Sequence, residues 1–176
     1  MDKVRGGDVA QLAHLFERHR VKLYNYYLRL TRNRWLSEDL VQEVFLRVLK
    51  YRHTFRGDGE FTMWMYHIAR NVHRDYHAKW RHEQLSAGDQ EEPAADDASA
   101  QDTLELDQST RLLQEALARL PVEKRELLVL SRYQNLRYDV IAGILDCSTE
   151  AVKVRVHRAM NELRTIFLAL SGEKTR

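Results

Sequence analysis

Residues 138–170 read YDVIAGIL, then DCS, then TEAVKVRVHRAMNELRTIFLAL, and the way this stretch folds organises the rest of the chain. Tyr138–Leu145 is an apolar run with helical spacing. Asp146-Cys147-Ser148 forms a tight corner, and Asp146 tolerates a left-handed backbone better than most residues. From Thr149 to about Leu170, the apolar residues Val152, Val156, Ala159, Leu163, Phe167 and Leu170 recur at i, i+3 and i+4, the stripe of an amphipathic helix. Ala142 is small where two such helices would cross, and the corner has the length that a helix-turn-helix needs. On the opposite arc lie Glu150, Lys153, Val154, His157, Arg158 and Asn161, flanked by Arg155 and Arg164. That arc suits base edges at its centre and phosphates at its margins. An exposed mixed-charge helix in a bundle has the same spacing, so the pattern alone leaves both open.

Upstream, Leu112, Leu113, Ala116, Leu117 and Leu120 make another helix, stopped by Pro121, and a further helix is expected over Val122–Arg132. Before these, residues 86–103 (SAGDQEEPAADDASAQDT) are small, acidic and nearly free of large apolar groups. They cannot bury enough surface to offset their ordering entropy, so a flexible tether and a domain boundary are expected there. Charge follows the same division. Residues 1–81 carry 16 basic and 9 acidic side chains, 82–110 carry 9 acidic and no Lys or Arg, and 111–176 carry 12 basic and 8 acidic. Two basic blocks around an acidic strip suit two polyanion-facing domains, although two ordinary solvated domains fit as well.

The N-terminal block reads as three helices. Val9–Leu30 carries Leu12, Leu15, Phe16, Leu23, Tyr26, Tyr27 and Leu30 at helical spacing, and Leu40, Val41, Val44, Phe45, Val48 and Leu49 form a second stripe with Ser37 as its expected N-cap. A turn at Phe55–Phe61 (FRGDGEF) separates this from a third helix running to about Arg81. With two Pro and seven Gly in 176 residues, the chain is expected to be all-α. One cysteine excludes a disulfide framework and fits a reducing cytosol. The apolar runs are far too short for a membrane span, and no signal peptide is evident, so a cytoplasmic protein is expected.

On the third helix, Phe61, Met65, Ile68, Val72 and Tyr76 cluster on one side, while Arg70, Arg74, His77 and Arg81 form a basic row on the other. Trp64, Tyr66 and Trp80 stand at other angles. A cationic row with aromatics beside it suits a single nucleic-acid strand, charge tracking phosphates and rings stacking on bases; a solvated face with half-buried rings is the alternative. The second helix has an acidic polar side, Glu38, Asp39, Gln42, Glu43 and Arg47, which suits a basic helix of a protein partner or plain solvent. No phosphate-binding Gly-rich loop or dinucleotide fingerprint is present. His73 and His77 are four apart, but no third ligand is evident. Neither a metal, a cofactor nor a catalytic residue is expected.

These motifs assemble into a resemblance. The string Glu38-Asp39-Leu-Val-Gln42-Glu43-Val-Phe45-Leu-Arg47 resembles the polymerase-binding helix of bacterial sigma-70-family factors, and Phe61-Thr-Met-Trp64-Met-Tyr-His-Ile68-Ala69-Arg70-Asn71 continues the same domain. Leu120-Pro121 with Arg125, Ile141-Ala142, Val152-Lys153-Val-Arg155 and Arg158-Ala159 look like that family's C-terminal promoter-reading domain. The order and lengths resemble the two-domain extracytoplasmic-function (ECF) type over essentially the whole chain outside the tether. Val140 and Asp146 depart from the family pattern, which usually has Glu and Gly there.

The resemblance implies a sigma region 2 helical bundle over residues 1–85, an acidic flexible linker over 86–108, and a sigma region 4 helix-turn-helix over 109–176. It implies that Glu38, Asp39, Gln42, Glu43 and Arg47 dock on the β′ clamp helices of core RNA polymerase, with the β flap as a further contact. Phe55, Arg56, Gly57, Asp58, Phe61, Trp64, Arg70, Asn71, Arg74, His77 and Arg81 would capture the opened −10 strand. Ser148, Thr149, Glu150, Lys153, Val154, Arg155, His157 and Arg158 would read the duplex −35 element. The family implies an anti-sigma factor as partner, through which the chain could be held at the membrane without itself inserting. Two other classes remain: a helix-turn-helix regulator that acts without polymerase, and a docking-only protein that binds polymerase without starting transcription.

Overall fold

The computed structural model describes residues 1, 4, 6, 10–56, 60–87 and 108–172. The elements run α1 (Gln11–Thr31), α2 (Arg34–Lys50), a 3-10 turn (Arg52–Thr54), α3 (Phe61–Ala87), α4 (Gln108–Ala118), α5 (Val122–Leu128), a π-helical turn (Val129–Tyr133), α6 (Tyr138–Leu145) and α7 (Thr149–Ser171). The fold is all-α, as the composition and periodicity require. No strand occurs among the described residues.

Leu23, Tyr26, Tyr27 and Leu30 bury the α1 stripe. The helix begins at Gln11, and Val9 lies outside the described residues. It ends at Arg32, whose left-handed backbone (φ 57°) lets its N–H cap the Leu28 carbonyl. The start of α2 corrects the expected cap. Asn33, not Ser37, is the N-cap: its side chain accepts the Leu36 N–H at 2.9 Å. Ser37 is fully buried within the first turn, and its hydroxyl donates back to the Asn33 carbonyl at 2.6 Å. A serine fits either role, and the asparagine four residues earlier has the extended backbone that a cap needs.

Helix α3 runs to Ala87, past the Arg81 end expected from its stripe, because nothing before Gly88 interrupts a helix. Most of the expected linker, residues 88–107, lies outside the described residues. α5 begins at Val122 as expected, with Pro121 at its N-cap, but the α-helix stops at Leu128, short of the expected Arg132, and the chain continues in a wider turn in which the Gln134 N–H reaches the Val129 carbonyl. The α6–α7 corner forms as its residues predict. Asp146 is left-handed (φ 52°, ψ 55°), and Ser148 caps α7 by accepting the Ala151 N–H at 3.1 Å.

Buried side chains from both ends of the chain join in one apolar core. α1, α2 and α3 pack together, and α4 to α7 pack together. α3 also packs against α6, and α1 against the π-helical turn. Tyr26, Tyr66 and Met65 are almost wholly buried at this seam and beside it. A stripe read from one helix at a time cannot reveal such a second contact.

Candidate polymerase and nucleic-acid interfaces

Helix α2 presents a two-toned face. Leu40, Val41, Val44, Phe45 and Val48 are buried under it, while Glu38, Asp39 and Gln42 are exposed. Glu43 is half-buried and accepts the Arg47 Nε–H at 2.7 Å; Arg47 also reaches Asp75 on α3 at 2.5 Å. Arg47 is thus a strut between two helices more than an open contact. Two apolar residues escaped the sequence reading: Trp35 is 73% and Leu46 62% exposed. At 100° per residue they share an arc of about 100° with Glu38, Asp39 and Gln42, and exposed large apolar groups on the acidic face were the missed signal.

The expected strand face of α3 is divided. Phe55 is buried, its ring centroid 6.0 Å from Phe61 and 5.4 Å from Trp64, and these two rings are half-buried. Phe55 therefore supports the other two rings. Arg56 is exposed, and Gly57 and Asp58 lie outside the described residues. Arg74 and Arg81 are exposed. Asn71 is half-buried, with its amide 3.4 Å from the His67 ring. Arg70 is turned inward, and its Nε donates to Glu126 at 3.1 Å. His77 is half-buried, with its Nε2 3.1 Å from Nε2 of His73, itself buried and stacked on Tyr27. Burial, then the neighbouring His77 and Arg125, push the His73 imidazole down to about 3, so it is neutral at ordinary pH.

Helix α7 is different. Val152, Val156, Ala159 and Leu163 are buried, and Glu150, Lys153, Val154, Arg155, His157 and Arg158 are all exposed. Ser148 is exposed beside its cap, and Thr149 is half-buried. Val154 is 48% exposed among these polar neighbours. Further along, an apolar cleft of about 320 Å³ opens between α4 and α7, lined by Leu113, Met160, Leu163, Arg164 and Phe167 among others. Nothing in the sequence reading anticipated this cleft. Among the described residues no group of three metal-ligating side chains comes together, and no helix is long and apolar enough to cross a membrane.

A corner-capped helix with an open cationic arc, preceded by a helical bundle with an acidic face, defines a helix-turn-helix protein. Residues 15–82 match the family described as Sigma-70 region 2, and residues 110–163 match Sigma-70, region 4. The RNA polymerase sigma factor CarQ of Myxococcus xanthus is 31% identical over 176 residues, covering all of both chains. The ECF RNA polymerase sigma factor SigL of Mycobacterium tuberculosis (strain Erdman) is 29% identical, covering 93% of this chain and 94% of its own. Among solved structures, CnrH in complex with the cytosolic domain of CnrY shares the fold at a TM-score of 0.71 and 21% identity, over 96% of this chain and 94% of that one. The chain belongs to the sigma-70 family of RNA polymerase sigma factors, and within it to the ECF type.

Proposed function

We propose that this sigma factor directs core RNA polymerase to its promoters through three separate faces and has no catalytic residues of its own. The exposed strip Glu38, Asp39 and Gln42 anchors it to the basic β′ clamp helices, with Glu43 and Arg47 behind the strip. The arc of Lys153, Arg155, His157 and Arg158 fixes register on duplex −35 DNA, with Ser148, Thr149, Glu150 and Val154 at its start. Phe61, Trp64, Asn71, Arg74, His77 and Arg81 hold the opened −10 strand by stacking and charge, Phe55 backing the rings and Arg56 at the turn. Arg70 belongs to this set once it is released from Glu126. The observation that carries this reading is the order of the two matched regions, Sigma-70 region 2 followed by region 4.

Residues 1–85 form the polymerase and −10 unit, 86–108 the connecting segment, and 109–176 the −35 unit. The cleft beside Leu113 and Met160 suits the β flap. The solved neighbour RpoE of Bartonella quintana is a sigma factor in complex with the anti-sigma factor NepR, and an anti-sigma factor is proposed as a partner of this chain, acting on it in the cytoplasm. Reversing the anchor charge with Asp39→Lys should abolish co-elution with core polymerase while the helical circular dichroism signal stays unchanged. Undiminished polymerase affinity in that variant would remove the anchor role.

A further inference from the structure

Along the arc that α7 turns away from the core, one residue is out of character. At about 100° per residue, Glu150, Val154, His157 and Asn161 lie along the middle of that arc, and Lys153 and Arg158 flank them. All six are exposed. Five are charged or polar, whereas Val154 is apolar and 48% exposed. It stands about 170° around the helix from the buried stripe of Val152, Val156, Ala159 and Leu163, so packing within the chain does not account for it. Helix propensity does not account for it either, because a β-branched residue is disfavoured at an exposed helical position. Val154 lies six residues past the Ser148 cap, in the second turn of α7. A helix that enters a major groove presents its first turns to the base edges. Lys153 on one side of the valine, with Arg158 and Arg155 on the other, suits the phosphates that border such a groove, which places Val154 over the bases between them. The Asn161 amide lies 3.1 Å from the His157 Nε2, so these two polar side chains pair with each other farther along the arc. The apolar feature that a major groove offers is the C5-methyl group of a pyrimidine.

We propose that Val154 is a specificity-determining residue that packs on the C5-methyl group of a pyrimidine in the duplex −35 element, thymine in unmodified DNA. The inference rests on reading the α7 arc as the −35 face. The contact selects because of what the other bases bring to the same place. Against cytosine the valine buries an amine with no acceptor, and against a purine it buries N7 with no donor. Lys153, Arg155 and Arg158 set affinity and register through charge, while Val154 sets which base is accepted at one position.

The test uses the full chain assembled with core RNA polymerase and a library of duplex DNA carrying a randomised segment. The bound fraction is sequenced, and the enriched upstream element is rebuilt with each thymine replaced in turn by deoxyuridine, which lacks only the methyl group. At one position this replacement should weaken binding about three- to tenfold, the effect of exposing one buried methyl. In Val154→Ser, whose exposed site leaves the fold intact, the thymine and deoxyuridine duplexes should bind within about twofold of each other. A Val154→Ser protein that binds both duplexes more weakly but keeps the thymine preference would overturn the contact. An element that is lost in Arg158→Ala yet has no thymine sensitive to deoxyuridine would overturn the Val154 contact and keep the −35 face. An element indifferent to Arg158→Ala, or no enriched element, would overturn both. Cytosine and 5-methylcytosine placed at the sensitive position separate the two sources of the methyl group. Tightest binding with 5-methylcytosine would keep the methyl contact and name the modified base, in place of thymine, as its source.

Discussion

Helices α3 and α7 each carry a row of cationic side chains opposite an apolar stripe, yet only one row is open. On α7, which packs through a single stripe, Lys153, Arg155 and Arg158 all stand in solvent. On α3, which is covered from two sides, Arg70 is paired with Glu126 and His77 leans on buried His73, leaving Arg74 and Arg81 exposed. Equal patterns in sequence therefore differ in what they can offer a ligand. A helix whose partners all lie along one stripe presents its polar face directly, whereas a helix with partners on two sides presents it only after one of them leaves.

The sharpest way to break this contrast is to remove one arginine from each row. Arg70→Ala leaves the buried Glu126 carboxylate without its cation and should cost on the order of 3 kcal/mol in denaturant unfolding. Arg158→Ala touches an exposed residue and should change stability by less than about 0.5 kcal/mol. It should instead weaken duplex promoter binding and lower the salt slope by about one. Equal stability losses in the two variants would show that the rows do not differ.

A smaller effect comes from His73, which faces His77 on its own helix, Tyr27 of α1 and Arg125 of α5. Its imidazole is pushed down to about 3 when folded, against 6.5 when unfolded. Below pH 6.5 the unfolded chain takes up a proton that the folded chain refuses, so stability falls with falling pH. The loss attributable to His73 between pH 6.5 and 5 is about 2 kcal/mol. His73→Phe should flatten that part of the slope when denaturant midpoints are compared across these pH values. An identical slope in the variant would contradict the buried neutral site. Smaller again, Ser148→Ala should cost about 1 kcal/mol through loss of the α7 cap, seen as a lower thermal midpoint. No change there would mean that the α6–α7 corner is held by packing alone.

The parts of this molecule legible in the sequence are those decided locally. Asp146 and Ser148 mark the corner because left-handed geometry and capping depend on one or two residues. The α7 arc was legible because one stripe fixes the rest of a one-sided helix. Ser37 misled because a serine can cap a helix or bond back within its first turn, and only the preceding Asn33 decides between them. Glu126 gave no signal at all. In isolation it is one more charged residue on a short helix, and its partners Tyr26 and Arg70 lie 100 and 56 residues away. His73 was visible as half of a histidine pair, but its burial depends on Tyr27 and α5. Trp35 and Leu46 were passed over because the acidic face was read by charge, not by exposure.

The most direct test is to mix the purified chain with bacterial core RNA polymerase and fragmented genomic DNA from its source, and to sequence the 5′ ends of the transcripts. The account predicts new start sites that share two spaced upstream elements, lost with Asp39→Lys and weakened with Arg158→Ala. No new start sites from a chain that still co-elutes with the polymerase would contradict promoter direction and leave only docking.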